Sequence, residues 1–338
     1  MTRLWTDGFE FKDLLGYCVA PLGVDITTTV KRSGNASAMF TKSGAGEIGW
    51  FSFSFGDVSE FYLRVGLYVS NTTVDWPRIE WLNGSTSVGF IDFVNCNQAS
   101  IYVDSVLKDT GTTALFDSIW YLFEVHVKLS ATIGVIELRL DGVTALEASF
   151  SGNTGTGTID TIKFSTNYSG LGDINTGYVD DIALNDTAGG VDDSWCGEGK
   201  IIVMMPNDDS TPLELTPSAA SDHHLLVDEV PTDGDTTYVE GSVIDEEDMY
   251  GLTPSGLVDV DINRVWTEAR TKKTAAADGK VALITKAAGG AEVSGGDVEI
   301  LTTYSIKVLG AEELENPVDS NPWEVADIDL IEIGPRTR

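Results

Sequence analysis

Carboxylates are the chemical groups this chain offers in quantity, and they come in clusters. Asp180-Asp181, Asp192-Asp193, Asp208-Asp209, Asp233-Gly-Asp235 and Asp245-Glu-Glu-Asp248 each bring two or more acidic side chains together along the sequence. Such clusters suit the capture of a hard cation such as calcium through oxygen ligands. Asp233 and Asp235 are the pair best suited to calcium, because a glycine turn between them lets both carboxylates point inward. None of the clusters runs on to the glutamate that completes a helix-loop-helix calcium loop, so the pattern demands no cofactor. Clusters of this kind are also expected by chance in so acidic a chain.

Other catalytic signatures are missing from the sequence. His223-His224 has no histidine or cysteine at ligand spacing and no His-Glu-x-x-His frame, which makes it a pair of loop histidines. No Gly-x-Ser-x-Gly elbow and no glycine-rich loop ending in Lys-Ser/Thr is present, so nucleophilic and phosphate chemistry lack a motif. Cys18, Cys96 and Cys196 are odd in number and far apart, which predicts reduced thiols and a cytoplasmic site of synthesis. Among the aromatics, Trp76 and Trp81 flank Pro77 in a Thr/Asp/Asn-rich stretch. They are the candidates for stacking on a glycan, with core packing as the competing role. Phe51, Phe53 and Phe55 share one face of a strand-like run and read as core.

The elements that must position these residues are strands. Phe123, Val125 and Val127 alternate with Glu124, His126 and Lys128. After a turn at Thr132 to Gly134, Val135, Leu138 and Leu140 return among Glu137 and Arg139. Period-two alternation bounded by turn residues marks antiparallel strands with one buried face. On that basis Glu124, His126, Glu137 and Arg139 read as solvated residues of the outer face. Further strands are predicted at Ile48–Phe55, Phe61–Val69, Arg78–Leu82, Ser87–Phe93, Ser100–Val106, Ala145–Phe150, Ile159–Ser165 and Tyr178–Leu184. Asn83-Gly84 and Asp141-Gly142 serve as tight turns. So many strands without intervening helices imply two packed antiparallel sheets.

Past Asp186 the aliphatic content drops, and residues 191–199 read as a linker between a domain over 1–190 and a smaller β-rich domain over 200–338. In the second, strands are predicted at Lys200–Pro206, Thr237–Ile244, Val258–Thr271, Lys280–Ala287, Val298–Ile300, Thr303–Leu309 and Val325–Ile333. A short helix around Trp266–Ala269 is an alternative within the third of these. At 338 residues and 42% hydrophobic content, both halves can bury a core. With 53 acidic against 21 basic residues the net charge is -32, which excludes a nucleic-acid backbone as partner. The N-terminal residues lack the apolar core of a signal peptide, and no run approaches the roughly 18–20 apolar residues of a membrane span, so no membrane insertion is expected. Asn71-Thr-Thr73 has the form of an N-glycosylation sequon.

Trp5-Thr-Asp-Gly-Phe-Glu10, the Trp120–Gly142 hairpin and Tyr178-Val-Asp-Asp-Ile-Ala-Leu-Asn185 together resemble the concanavalin A-like, laminin-G-like jelly roll. The resemblance implies an all-β antiparallel sandwich whose first and last strands lie side by side. That fold binds sugars, hydrolyses them, or acts as a building block. Sugar-cleaving members set two or three acidic residues alternating on one strand, and no strand here does so. In the second half, the segment Leu226–Val239, Asp248-Met-Tyr-Gly-Leu252, Arg264–Thr274, Thr303-Tyr304 and Asn316–Trp323 resemble a region that follows a laminin-G-like domain in tailed-bacteriophage virion proteins.

The resemblance implies a non-enzymatic structural subunit of a tailed-phage virion, a decoration, collar or tail-associated protein. It would be made in the host cytoplasm and act through interfaces with copies of itself, in a three-fold arrangement, and with other virion proteins. The alternative it leaves open is a carbohydrate-binding adhesin that contacts host-surface glycan.

Overall fold

The computed structural model describes residues 3–12, 14, 22–40, 49–70, 76–94, 98–166, 177–188, 192–274, 279–288, 290, 292–308 and 313–338. The Asn71 sequon, Cys18 and Cys96 lie outside the described residues. The chain divides into two compact units, Met1–Ile202 and Val203–Arg338.

Among the described residues of the first unit, fourteen strands follow in chain order: β1 (Arg3–Asp7), β2 (Val24–Thr27), β3 (Ser37–Phe40), β4 (Trp50–Val58), β5 (Glu60–Val69), β6 (Arg78–Asn83), β7 (Thr86–Val94), β8 (Gln98–Val103), β9 (Val106–Thr110), β10 (Tyr121–Lys128), β11 (Gly134–Leu140), β12 (Ala148–Gly152), β13 (Ile159–Ser165) and β14 (Gly177–Asn185). One sheet runs β12-β11-β10-β5-β14-β3-β2, with β1 also on β14, and the other runs β4-β13-β6-β7-β8-β9. Every pairing is antiparallel, so the unit is a jelly-roll sandwich of the concanavalin A-like kind. As the resemblance implies, the first and last strands pair, with Trp5 opposite Leu184 and Asp7 opposite Ile182.

Alternation produces the core. Phe61, Leu63, Val65, Leu67 and Val69 point inward from β5, and Phe123, Val125 and Val127 from β10. Phe51, Phe53, Ile79, Trp81, Ile91, Ile101, Ile162 and Phe164 meet them from the facing sheet. Ring pairs cross the gap, with Phe61 against Trp81 at 6.4 Å and Phe93 against Phe123 at 5.5 Å between centroids. The predicted strand Ser100–Val106 is in fact a hairpin. Asp104 and Ser105 take left-handed φ of 49° and 61° and form a two-residue turn that no glycine announces.

Asp180 and Asp181 lie buried at a bulge in β14. Asp180 Oδ2 accepts the Arg32 and Ser33 N–H groups at 2.7 and 3.2 Å, and its Oδ1 accepts the Asp181 N–H. Asp181, at φ 53°, accepts Ser33 Oγ and the Ile201 N–H on Oδ1 and the Arg32 guanidinium on Oδ2. Beside them Glu10 is buried and accepts the Asn35 N–H at 2.6 Å.

The stretch Trp195–Ile201 lies along the outer face of the eight-stranded sheet, inside the first unit. The Arg139 guanidinium sits 3.8 Å above the Trp195 ring, which also meets the edges of Tyr62 and His126. Gly197 N–H donates to Glu124 at 2.7 Å, and the Gly199 carbonyl accepts Arg32 at 2.7 Å. This strap corrects the expectation of a solvated face, because Glu124 is 3% and His126 8% exposed.

In the second unit a sheet runs Pro206–Leu213, Asp248–Leu252, Glu332–Thr337, Lys280–Lys286, Glu292–Ser294, with Val298–Glu299 also on Lys280–Lys286. Two small strand pairs, Thr216–Pro217 with Val239–Glu240 and Glu268–Thr271 with Ser305–Val308, complete the described pairing. Strand structure starts at Pro206 instead of covering Lys200–Pro206, and of Thr237–Ile244 only Val239–Glu240 is strand. Val258–Thr271 keeps a strand only over its last four residues, with isolated bridges at Ile262 and Val265, and no helix forms at Trp266–Ala269. Val325–Ile328 is a helical turn whose start is held by the Glu324 N–H donating to Asp327, and the strand follows at Glu332.

A Cβ on Gly34, at φ +56°, would sit 1.9 Å from Glu10 Oε1, whereas one on Gly84, at φ +57°, meets nothing within 4 Å. Gly84→Ala should therefore cost only the left-handed conformation, about 1–2 kcal/mol, and Gly34→Ala clearly more; equal losses in urea unfolding would refute the clash. Burial, against the opposing Asn35 and Ala36 N–H groups, pushes the Glu10 carboxyl up from 4.5 to about 7. Its stabilising effect is present below the unfolded pKa and is lost as pH rises through 7. Burial and the Asp181 charge move Asp180 in the same direction. Melting temperature should fall between about pH 5 and pH 8, with a shallower fall in Glu10→Gln; a rise across that window would contradict the assignment.

Candidate functional site

The outer face of the six-stranded sheet collects side chains that sequence analysis leaves scattered. The register sets two adjacent rows across it. One reads Trp50, Ser165, Arg78, Asp92, Ser100 and Thr110; the next reads Ser52, Lys163, Glu80, Phe90, Tyr102 and Leu107. Each is the outward partner of an inward core residue, as Glu80 is of Ile79 and Trp81, or Phe90 of Ile91.

The geometry is orderly. Lys163 Nζ lies 3.3 Å from Glu80 Oε2 and 5.7 Å from the Trp50 ring. Arg78 pairs with Asp92 across β6 and β7. The same guanidinium lies 4.0 Å over Phe90, whose ring stacks on Tyr102 at 4.7 Å and 14°. Phe90 is thus covered on both faces and buttresses the half-exposed Tyr102 ring. Trp50, also half-exposed, marks the other end of the face. Chemically, this is a surface with an aromatic ring at each end and a polar middle of charge pairs, able to stack on sugar rings and to exchange hydrogen bonds with hydroxyls. Glu80 and Asp92 stand on neighbouring strands and each is neutralised by a cation, whereas glycoside cleavage needs one carboxyl free to carry a proton.

The residues singled out from sequence fall elsewhere. Trp76 and Trp81 are 0% and 1% exposed, packed against Phe93 and Tyr121 and against Phe61 respectively, and so cannot stack on a glycan. Trp81 turns inward by the same alternation that turns Arg78 and Glu80 outward, whereas Trp76 lies just before the strand and is buried against Phe93 and Tyr121. Trp50 carried the signal that could have found the site, since it opposes the inward Phe51 and Phe53 on one strand.

Asp233 and Asp235 do not converge. Asp233 accepts the Thr237 N–H and hydroxyl, at 3.1 and 2.7 Å. Asp235 pairs with Lys272 and accepts the Tyr304 hydroxyl at 2.7 Å, and these two bonds hold its carboxyl below the usual range. Among the described residues no group of three or more His, Cys, Asp or Glu side chains is placed to hold a metal ion. The oxygens of Asp180 and Asp181 are likewise taken by protein donors.

Each histidine also has a carboxylate partner. His126 lies between Glu137 Oε2 at 2.8 Å and Glu60 Oε1 at 2.9 Å, and stacks on Tyr62 at 4.2 Å. Burial raises Glu60, but Lys128 and His126 outweigh it and hold its carboxyl low. His223 Nδ1 is 2.6 Å from the buried Asp248, which also accepts the Tyr250 hydroxyl and the Glu214 and Leu215 N–H groups. His224 pairs with Asp209 at 3.0 Å. Burial pushes the Cys196 thiol up to about 11, which keeps it protonated.

No family model matches the chain, and no curated protein matches it. Among solved structures it is similar to a sialidase, at 11% identity and TM-score 0.44 over 55% of this chain and 19% of that chain. It is similar to the cellulose-induced protein Cip1, at 19% identity and TM-score 0.41 over 58% of this chain and 100% of that chain. It is also similar to winged bean acidic lectin complexed with methyl-α-D-galactose, at 10% identity and TM-score 0.33 over 54% of this chain and 98% of that chain.

Proposed function

We propose that the first domain is a non-catalytic glycan-binding module whose site is the outer face of the six-stranded sheet, and that the chain is a structural subunit of a tailed-phage virion presenting this face to host-surface glycan. The observation that carries the binding reading is the row geometry. Trp50 and Tyr102 flank the Lys163–Glu80 and Arg78–Asp92 pairs on one sheet face. Those same pairs oppose catalysis, since both carboxylates are committed to cations. The virion setting, with assembly through copies of the chain in three-fold array and through other virion proteins, is supported by the sequence resemblance of the second half. The acidity of the chain, at net charge -32, is compatible with a subunit that must stay soluble at high local concentration.

A glycan array followed by calorimetry tests the module. Trp50→Ala and Tyr102→Ala should each weaken binding by about 1–2 kcal/mol, roughly five- to thirtyfold, with no product released from the bound sugar. Trp76→Ala should instead lower stability by about 3–5 kcal/mol and leave the affinity of the folded fraction unchanged. Binding to no glycan, or turnover of one, would sink the reading. Mass spectrometry of purified particles tests the virion setting, which fails if the chain is absent from them.

A further inference from the structure

We infer that the glycan taken by this face is a neutral linear chain longer than one sugar, and that uronic-acid and sulfated polymers are rejected; the inference rests on the glycan-binding reading above. A polyanion needs uncommitted cations, and the two at the centre of the face are already matched, Lys163 with Glu80 and Arg78 with Asp92. Drawing Arg78 onto a carboxylate or sulfate would leave Asp92, 13% exposed, beside the incoming negative charge. The net charge of -32 adds long-range repulsion at low salt. A neutral hydroxyl meets no such barrier.

Length follows from strand spacing. Trp50 stands on β4 and Tyr102 on β8, four steps apart in the order β4-β13-β6-β7-β8. At roughly 4.8 Å per step the two rings are about 19 Å apart across the sheet. One sugar ring reaches only one of them, while a chain running across the strands touches both and the polar middle as well.

The test is calorimetry with the full chain against neutral linear oligosaccharides, from monosaccharide to hexasaccharide, and against polygalacturonate, alginate and a sulfated glycan, at low and high salt. The expected result is binding to a neutral series, at least about tenfold tighter for the hexasaccharide than for the monosaccharide, insensitive to salt, with none to the anionic polymers. Asp92→Asn should release Arg78 and give measurable, salt-sensitive binding to a polyuronate, with a thermal melt confirming the fold. Selective binding of an anionic polymer by the unmodified chain, or equal affinity for one sugar and six, would overturn the inference while leaving the glycan module standing. Binding to nothing in either class would instead remove the module itself.

Discussion

Two adjacent carboxylates, Asp180 and Asp181, sit fully buried in the middle of the strand that closes the first domain, and the surrounding chain is arranged to satisfy them. An unpaired charge in that position would be strongly destabilising. The donors come from the Arg32–Ser33 segment and from Ile201, so distant parts of the sequence meet at β14. The bulge and the left-handed φ of Asp181 are held in place by those same bonds. Seating β14 then gives β1, β3 and β5 their partner.

That closure makes the two outer faces of the sandwich unequal. On the eight-stranded sheet, Trp195 to Ile201 covers Glu124, His126 and Arg64, which bond to the Gly197 N–H, to Glu60 and to the Asp181 carbonyl respectively. On the six-stranded sheet, the outward rows carry rings at both ends and balanced charges between them. The strap covers part of the first face, which stays half-buried at Tyr68 and Trp120, and the second face is half-buried at Trp50 and Tyr102.

The second domain shows where so many carboxylates go. Asp248 accepts from two backbone N–H groups, a histidine and a tyrosine; Asp209 accepts from His223 and His224; Asp235 holds Lys272 and Tyr304. Among its described residues the apolar clusters, around Trp323 and around Leu283, are modest, and polar networks of this kind carry much of the internal order. The acidic clusters work as acceptors for the chain's own donors, which is why acidity along the sequence does not translate into a cation site at Asp233 and Asp235.

The strands of the first domain were written in the sequence wherever one face is buried. Period-two alternation located β5, β10, β11 and β13 to within a residue or two, because a strand packed on one side must repeat every second residue. It failed where that constraint is absent: at the Asp104-Ser105 turn, and in the second domain, where short strands and bridges leave little periodicity. The site was harder to see. Trp76 and Trp81 announce themselves as tryptophans, but composition cannot say which side of a sheet a ring faces. The Arg78–Asp92 and Lys163–Glu80 pairs join residues on different strands, and register across strands exists only once the sheet has formed. Residue identity and spacing determined which segments would be strands; the order in which those strands lie side by side decided which side chains share a surface.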